Sequence, residues 1–189
     1  MIKNRISDLL EDPVIRFFIS ISPAVIAALF CVLLGPEVYL PVGGVFLSFY
    51  FALGVGWIAS PVIGISSGMN PVILVALLVF ISSESSLIVS ANYDILEKIP
   101  LFGRMMKGIR KKAGKVIKKH DLAENVEYFS IFWLMFLPLY GTGPMVMTLV
   151  GRLLNLSWKK VWAVITLSAL TRFTLITGLL YLGYISLTF

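Results

Sequence analysis

The stretch Phe136-Leu137-Pro138-Leu139-Tyr140-Gly141-Thr142-Gly143-Pro144 interrupts an apolar run, Tyr128 to Gly151, that carries no charged side chain. As one helix, a run of that length spans the roughly 30 Å hydrocarbon core of a bilayer, and folded back on itself it does not. The prolines and glycines argue for a break. Pro138 and Pro144 each remove an amide donor, while Gly141 and Gly143 permit positive φ. Non-helical backbone at membrane depth survives only inside protein or beside water, so the break predicts a cavity.

The flanks decide which way this segment folds. Acids precede it at Asp121, Glu124 and Glu127, and bases follow at Arg152, Lys159 and Lys160. Upstream lies the most strongly charged segment, with Arg104, Lys107, Arg110, Lys111, Lys112, Lys115, Lys118 and Lys119 and no acid before Asp121. The positive-inside rule places both basic groups in the cytoplasm, so the run enters and leaves on one side as a re-entrant hairpin. Each arm has about ten residues and reaches about half the hydrocarbon thickness, which puts the tip Pro138 to Pro144 near the midplane. The last helix, from Val161 to about Leu187, then crosses outward.

Composition agrees with a membrane setting. The 189 residues are 58% hydrophobic and 14% charged, which excludes an ordinary soluble domain. No removable signal peptide is expected, because no N-terminal apolar stretch ends in a small-residue cleavage site. The single cysteine, Cys31, leaves neither an intrachain disulfide nor a thiolate metal site. A net charge of +6 reports cytoplasmic loops here rather than nucleic acid.

Toward the N-terminus the same grammar recurs. Residues 1–12 form a short amphipathic pattern suited to the lipid interface, and Val14 to Gly35 is apolar apart from Arg16. Whether that run is a full span or an entering arm stays open at this point. Pro36-Glu37-Val38-Tyr39-Leu40-Pro41-Val42-Gly43-Gly44 is a second broken segment, with Pro36, Pro41, Gly43 and Gly44 marking its tip. Gly54, Gly56, Pro61, Gly64, Gly68 and Pro71 divide the uncharged interval that follows, where Trp57 suits an interfacial anchor. A helix from Pro71 to about Ile95 then carries Ser82, Ser83, Glu84, Ser85 and Ser86. The basic segment 98–120 shows helical spacing of Phe102, Met105, Met106, Ile109 and Ala113 and reads as an amphipathic helix on the cytoplasmic surface.

A broken segment followed by a long helix with one central charge thus occurs twice, first with Glu37 and Glu84, then with Thr142 and Arg172. The fold expected is an all-α integral membrane protein, one domain over 1–189. It is an inverted repeat of two opposed re-entrant hairpins, each followed by a transmembrane helix, with repeats at 14–97 and 126–189 and interfacial helices beside them.

Pro36 to Gly44 resembles the first signature of the DedA superfamily, relatives of the VTT (SNARE-associated Golgi protein) membrane domain. Pro138, Gly151, the helix from Trp158 and the ending Leu182-Gly183-Tyr184 follow in the same order. Ile99-Pro100-Leu101-Phe102-Gly103-Arg104 and Pro138 to Pro144 look closer to the branch called small multidrug export proteins. The resemblance implies a multi-pass protein of a prokaryotic cell membrane that moves phospholipids or polyprenyl-phosphate carriers as a flippase or scramblase, with proton coupling as an option. One departure matters: the arginines expected around the second signature's proline are replaced by Leu134, Met135 and Gly141.

Site residues follow from cost and position. A lone charge at the bilayer centre costs at least about 2.5–3.5 kcal/mol, so intramembrane charges pair or face water. Glu84 lies ten residues from Asp94 and Arg172 twelve from Lys160, so both sit about 15–18 Å from the cytoplasmic side. They form either an ion pair or part of a substrate and proton pathway, to which Glu37, Tyr140, Gly141, Thr142, Gly143 and Arg152 are also assigned. Glu37 has the alternative of sitting at the outer surface. Arg104, Lys107, Arg110, Lys111 and Lys115 form a headgroup-binding surface. His120 lacks Cys or His neighbours at ligand spacing, so no metal and no cofactor is expected. Nor is an enzyme, since no nucleophile, base and orienting group assemble at recognisable spacing. The partners expected are membrane lipids and protons, not nucleic acid, with a homo-oligomer left open. Export of small cationic drugs and a non-transporting membrane scaffold are the competing readings.

Overall fold

The computed structural model describes residues 12–52, 55–98, 124–137 and 143–188, and every regular element among them is helical. In chain order these are α1 (Pro13–Leu33), α2 (Pro36–Phe51), α3 (Gly56–Ser66), α4 (Pro71–Ala91), α5 (Tyr93–Lys98), α6 (Glu124–Phe136), α7 (Pro144–Leu153) and α8 (Trp158–Thr188). The amphipathic segment expected at 1–12 lies almost wholly outside the described residues, as does the basic segment 98–120.

Among the described residues three helices are long and apolar enough to cross a bilayer: Val14–Leu33, Pro71–Ala91 and Trp158–Ser186. The chain is a multi-pass membrane protein. At about 1.5 Å per residue, the 13 residues of α6 and 10 of α7 fall well short of the roughly 30 Å hydrocarbon core. Tyr128 near the start of α6 accepts a hydrogen bond on its hydroxyl from the Ser157 amide, just beyond α7, at 3.2 Å. The two arms therefore begin and end together, as a re-entrant hairpin requires.

Cross-helix contacts fix the directions. Along α4 and α5, Asp94 meets Arg16 at 3.5 Å, Asn92 meets Ser20 at 2.9 Å and Glu84 meets the Ala24 amide at 3.3 Å, so α1 runs antiparallel to α4. Ser86 meets Thr148 and Tyr93 lies under Arg152, so α7 runs parallel to α4. One end of the bundle gathers the start of α1, the finish of α4, the start of α6 and the turn from α7 to α8. The other holds the start of α2, the finish of α3 and the start of α4. Val14 to Leu33 is thus a complete span ahead of the first hairpin, and the hairpins open in opposite directions.

The repeat is visible atom by atom where each hairpin joins its long helix. Gly64 O accepts from Met69 N at 3.0 Å and Ile65 O from Gly68 N at 2.9 Å, with Gly68 at φ +74°. At the corresponding residues, Gly151 O accepts from Leu156 N at 3.1 Å and Arg152 O from Asn155 N at 3.1 Å, with Asn155 at φ +60°. Both are Schellman caps, in which a left-handed residue satisfies the last helical carbonyls. The same offset takes Leu74 to Val161, Leu78 to Ile165, Ile81 to Ser168, Ser82 to Ala169, Ser85 to Arg172 and Ser90 to Thr177, all of them buried. Helices α4 and α8 therefore bury equivalent stripes, joined in one core by Val45, Ile131, Met135 and Phe173.

The first tip is not where the prolines suggested. Pro36 is the first residue of α2, where no amide donor is needed, and Pro41 leaves unpaired only the Glu37 carbonyl, in the exposed first turn. Gly43 and Gly44 are helical, and Gly44 brings α2 onto α3: a Cβ there would stand 3.3 Å from Ile63 Cγ2. Reversal occurs between Phe51 and Gly56, and a Cβ on Gly56 would lie 2.5 Å from the Phe49 carbonyl oxygen. Of the second tip, Pro144 is the buried first residue of α7, and Pro138 to Thr142 lie outside the described residues.

Two outcomes follow. A Cβ on Gly64 would run into Leu74 and one on Gly151 into Val161. Gly64→Val and Gly151→Val should each destabilise by about 1–3 kcal/mol through overpacking, read as a lower melting temperature in detergent, whereas Gly178→Ala, in open space, should not. In a Cys31→Ser background, single cysteines at Asp12 and Ser157 should label from one side of the membrane, and those at Glu37 and Ser67 from the other.

Candidate substrate site between the hairpin tips

Four consecutive residues of α4 point at four different helices, because each step along a helix turns by about 100°. The Ser83 carbonyl accepts from Trp162 Nε1 at 3.2 Å and its hydroxyl lies 3.1 Å from Thr166 Oγ1, both on α8. Glu84 Oε1 accepts from the Ala24 amide of α1, beside the helix-distorting Pro23. Ser85 Oγ lies 2.5 Å from the Tyr50 hydroxyl of α2. Since Ser85 already donates its one proton to the Ile81 carbonyl at 2.6 Å, Tyr50 is the donor. Ser86 Oγ lies 2.7 Å from Thr148 Oγ1 of α7. The central helix is therefore tied to the first span, an arm of each hairpin and the last helix within one turn.

A second buried charge is Arg172, near the middle of the 31-residue α8 and only 4% exposed. Its Nη1 donates to the Met135 carbonyl at 3.0 Å, in the last turn of α6 beside the second tip. Its guanidinium carbon lies 4.8 Å from the ring centre of Trp57, the second residue of α3 beside the first tip. A cation is favoured at a helix C-terminus, where carbonyls lack intrahelical partners, and over an indole face. The two hairpins thus meet on one arginine. Among its nitrogens, Nε and Nη2 are buried without a hydrogen-bond partner.

Several expectations change. Glu84 and Arg172 form no ion pair; each has the separate partners described above, and Glu84 is buried against α1. Glu37 is exposed in the first turn of α2, where a carboxylate suits the helix N-terminus, and stands about 20 Å along that helix from Tyr50. It belongs to the bundle end rather than the tip. Arg152 lies 5.1 Å from the Tyr93 ring centre and donates to the Leu156 carbonyl at 3.3 Å, so it sits at the α7–α8 turn, about 20 Å along α8 from Arg172. Gly143 caps α7. Tyr140, Gly141 and Thr142 lie outside the described residues, as do Arg104, Lys107, Arg110, Lys111 and Lys115.

Three contributors escaped the sequence reading. Trp57 looked like an interfacial anchor and is instead a floor for Arg172. Tyr50 and Thr148 are polar groups in largely apolar runs, and the available signal is that each lies within one or two turns of a break. The guanidinium missing from the segment around Pro138 is delivered to the end of α6 by α8.

Residues 43–175 match the model of a family described as "Putative small multi-drug export protein". The chain belongs to this family. The match takes in the first hairpin from Gly43 onward, α4, the second hairpin and α8 as far as Leu175, so membrane export is the family setting of the site. No curated protein and no solved structure matches the chain.

If the four contacts of α4 hold the hairpins, Ser85→Ala and Thr148→Val should each lower the melting temperature in detergent modestly. Interhelical hydrogen bonds in membranes average about 0.6 kcal/mol. Ser83→Ala, whose carbonyl bond to Trp162 persists, should cost less than Ser85→Ala.

Proposed function

We propose that this transporter moves amphipathic lipids with a phosphate-bearing head, phospholipids or polyprenyl-phosphate carriers, across the bilayer as a flippase or scramblase of the DedA type. The observation that carries this reading is the meeting of two short, oppositely opening hairpins at a buried belt of hydroxyls, one carboxylate and one guanidinium. A lipid head crossing there exchanges hydration for these groups, while its tail remains in the hydrocarbon that the short arms leave unspanned. Glu84 is the proton-responsive group of the proposal: protonation removes the charge facing α1 and weakens the contact with the Ala24 amide. The end gathering the start of α1 and the finish of α4 is assigned to the cytoplasm, on the strength of the basic sequence that follows α5.

A second reading, export of small cationic drugs, is favoured by the family's description of drug export and by Glu84, a buried carboxylate that pairs with no cation among the described residues. Reconstitution separates the two. Liposomes containing the protein should show movement of a fluorescent phospholipid head between leaflets, faster under a pH gradient, and Glu84→Gln should retain movement but lose the response to the gradient. Failure of the wild type to move any lipid head, together with Glu84-dependent efflux of a cationic dye, would replace this reading with the second.

A further inference from the structure

Arg172 has a partner for one nitrogen, Nη1, and none for Nε and Nη2, although the residue is only 4% exposed. These two are not an arbitrary pair. In a guanidinium, the Nε–H and the Nη that lies trans to Cδ, named Nη2, point the same way and form one complete edge of the planar fork. That edge accepts two oxygens of one oxyanion in parallel. Met135 uses the other end, and Trp57 faces the guanidinium with its centre 4.8 Å away, so the group is held in place with its bidentate edge unused.

Leaving a charged group buried with donors unmet costs on the order of 1–3 kcal/mol or more, so such an edge is retained only where something fills it. Among the described residues, the carboxylates that could fill it do not. Glu84 is committed to the Ala24 amide, and Asp94 pairs with Arg16 at 3.5 Å at the bundle end. The serine at the equivalent position of the first repeat, Ser85, has its hydroxyl fully used by Ile81 and Tyr50, so the unfilled edge is peculiar to the second repeat.

We propose that the Nε/Nη2 edge of Arg172 is an oxyanion-binding site that takes two oxygens of a phosphate group, with Trp57 and the Met135 carbonyl as positioning groups. This rests on the transport reading for its choice of phosphate, which arrives either as a lipid head or as free phosphate. Neither Arg152 nor the basic segment before α6 is needed for it. Lysine cannot reproduce the site: an ammonium offers a point charge with no planar edge.

The test uses the full chain in dodecyl maltoside, which carries no phosphate, with phosphorus NMR and calorimetry as readouts. Titration with dihexanoyl phosphatidic acid and, separately, with inorganic phosphate should give saturable binding by at least one. Arg172→Lys should weaken it about tenfold or more, the size of one lost charge-assisted hydrogen bond, with an unchanged melting temperature as the check on folding. Binding of the lipid alone assigns the site to a headgroup, and binding of inorganic phosphate alone assigns it to free phosphate; both support it. Absence of saturable binding by the wild type overturns the site without reference to any variant, as does equal binding by a folded Arg172→Lys protein or preference for hexanoate over both phosphates. Liposome transport distinguishes the two readings: lipid movement without saturable phosphate binding removes the site and leaves transport standing, whereas phosphate binding without lipid movement removes transport and leaves the site.

Discussion

Backbone that stops being helical inside hydrocarbon has to find partners for its carbonyls and amides, because no water is there to take them. The second hairpin meets this constraint where α6 ends, and the Met135 carbonyl is answered by Arg172 from α8. Only a helix that runs unbroken through this depth can supply that side chain. The 31 residues of α8 extend about 46 Å, more than a bilayer core, and place Arg172 close to their midpoint. The same guanidinium lies over Trp57 at the start of α3, so one residue sets the position of both tips relative to the last helix. Much else in the arrangement is what is needed to bring a cation to that place.

The two repeats share caps and buried stripes but not their surroundings, and α1 is the reason. At the offset that pairs Gly64 with Gly151, Glu84 corresponds to Thr171. Glu84 is 6% exposed because α1 lies against it, while Thr171 is only partly buried and bonds its own helix at the Leu167 carbonyl. Among the described residues no helix covers α8 as α1 covers α4. A carboxylate is therefore buried at this level of the first repeat, where a hydroxyl suffices in the second. The guanidinium shows the opposite asymmetry, with Arg172 standing where the first repeat has Ser85. Among the described residues the buried carboxylate thus falls in the first repeat and the buried guanidinium in the second, on different azimuths of the bundle.

Neither the depth nor the azimuth of the two buried charges was legible in the sequence. Charge spacing put Glu84 and Arg172 at one level, but Ser83 meets Trp162 and Thr166, ten and six residues before Arg172 on the antiparallel α8. Glu84 faces α1, and Arg172 faces the end of α6 and the start of α3. Periodicity could not show this, since both helices are apolar almost all round and their charges do not mark a face. The re-entrant second hairpin was legible because bases flank it on both sides. The first tip was misplaced because prolines at Pro36 and Pro41 are strong signals of discontinuity, yet both are tolerated in the first turns of a helix. The true reversal is set by Gly56, whose requirement is the absence of a Cβ against the Phe49 carbonyl, a contact that a sequence does not display.

The hydroxyls around α4 differ from the arginine in how they hold. Ser85 also bonds the Ile81 carbonyl, Thr148 the Pro144 carbonyl and Thr166 the Trp162 carbonyl, each on its own helix. When the cross-helix contact of Thr148 or Thr166 is broken, its proton keeps the carbonyl on its own helix, so separation costs little more than the modest interhelical bond itself. Parting Ser85 from α2, by contrast, leaves the Tyr50 hydroxyl to find another acceptor. An ion pair in the same place would strand two charges on opening. Thr148 therefore makes with Ser86 a contact between α4 and the second hairpin that can be broken and remade. The contact of Arg172 with Met135 has no such fallback, because a guanidinium cannot bond the backbone of its own helix as a hydroxyl does. Parting α7 from α4 therefore strands less than parting the end of α6 from α8 would.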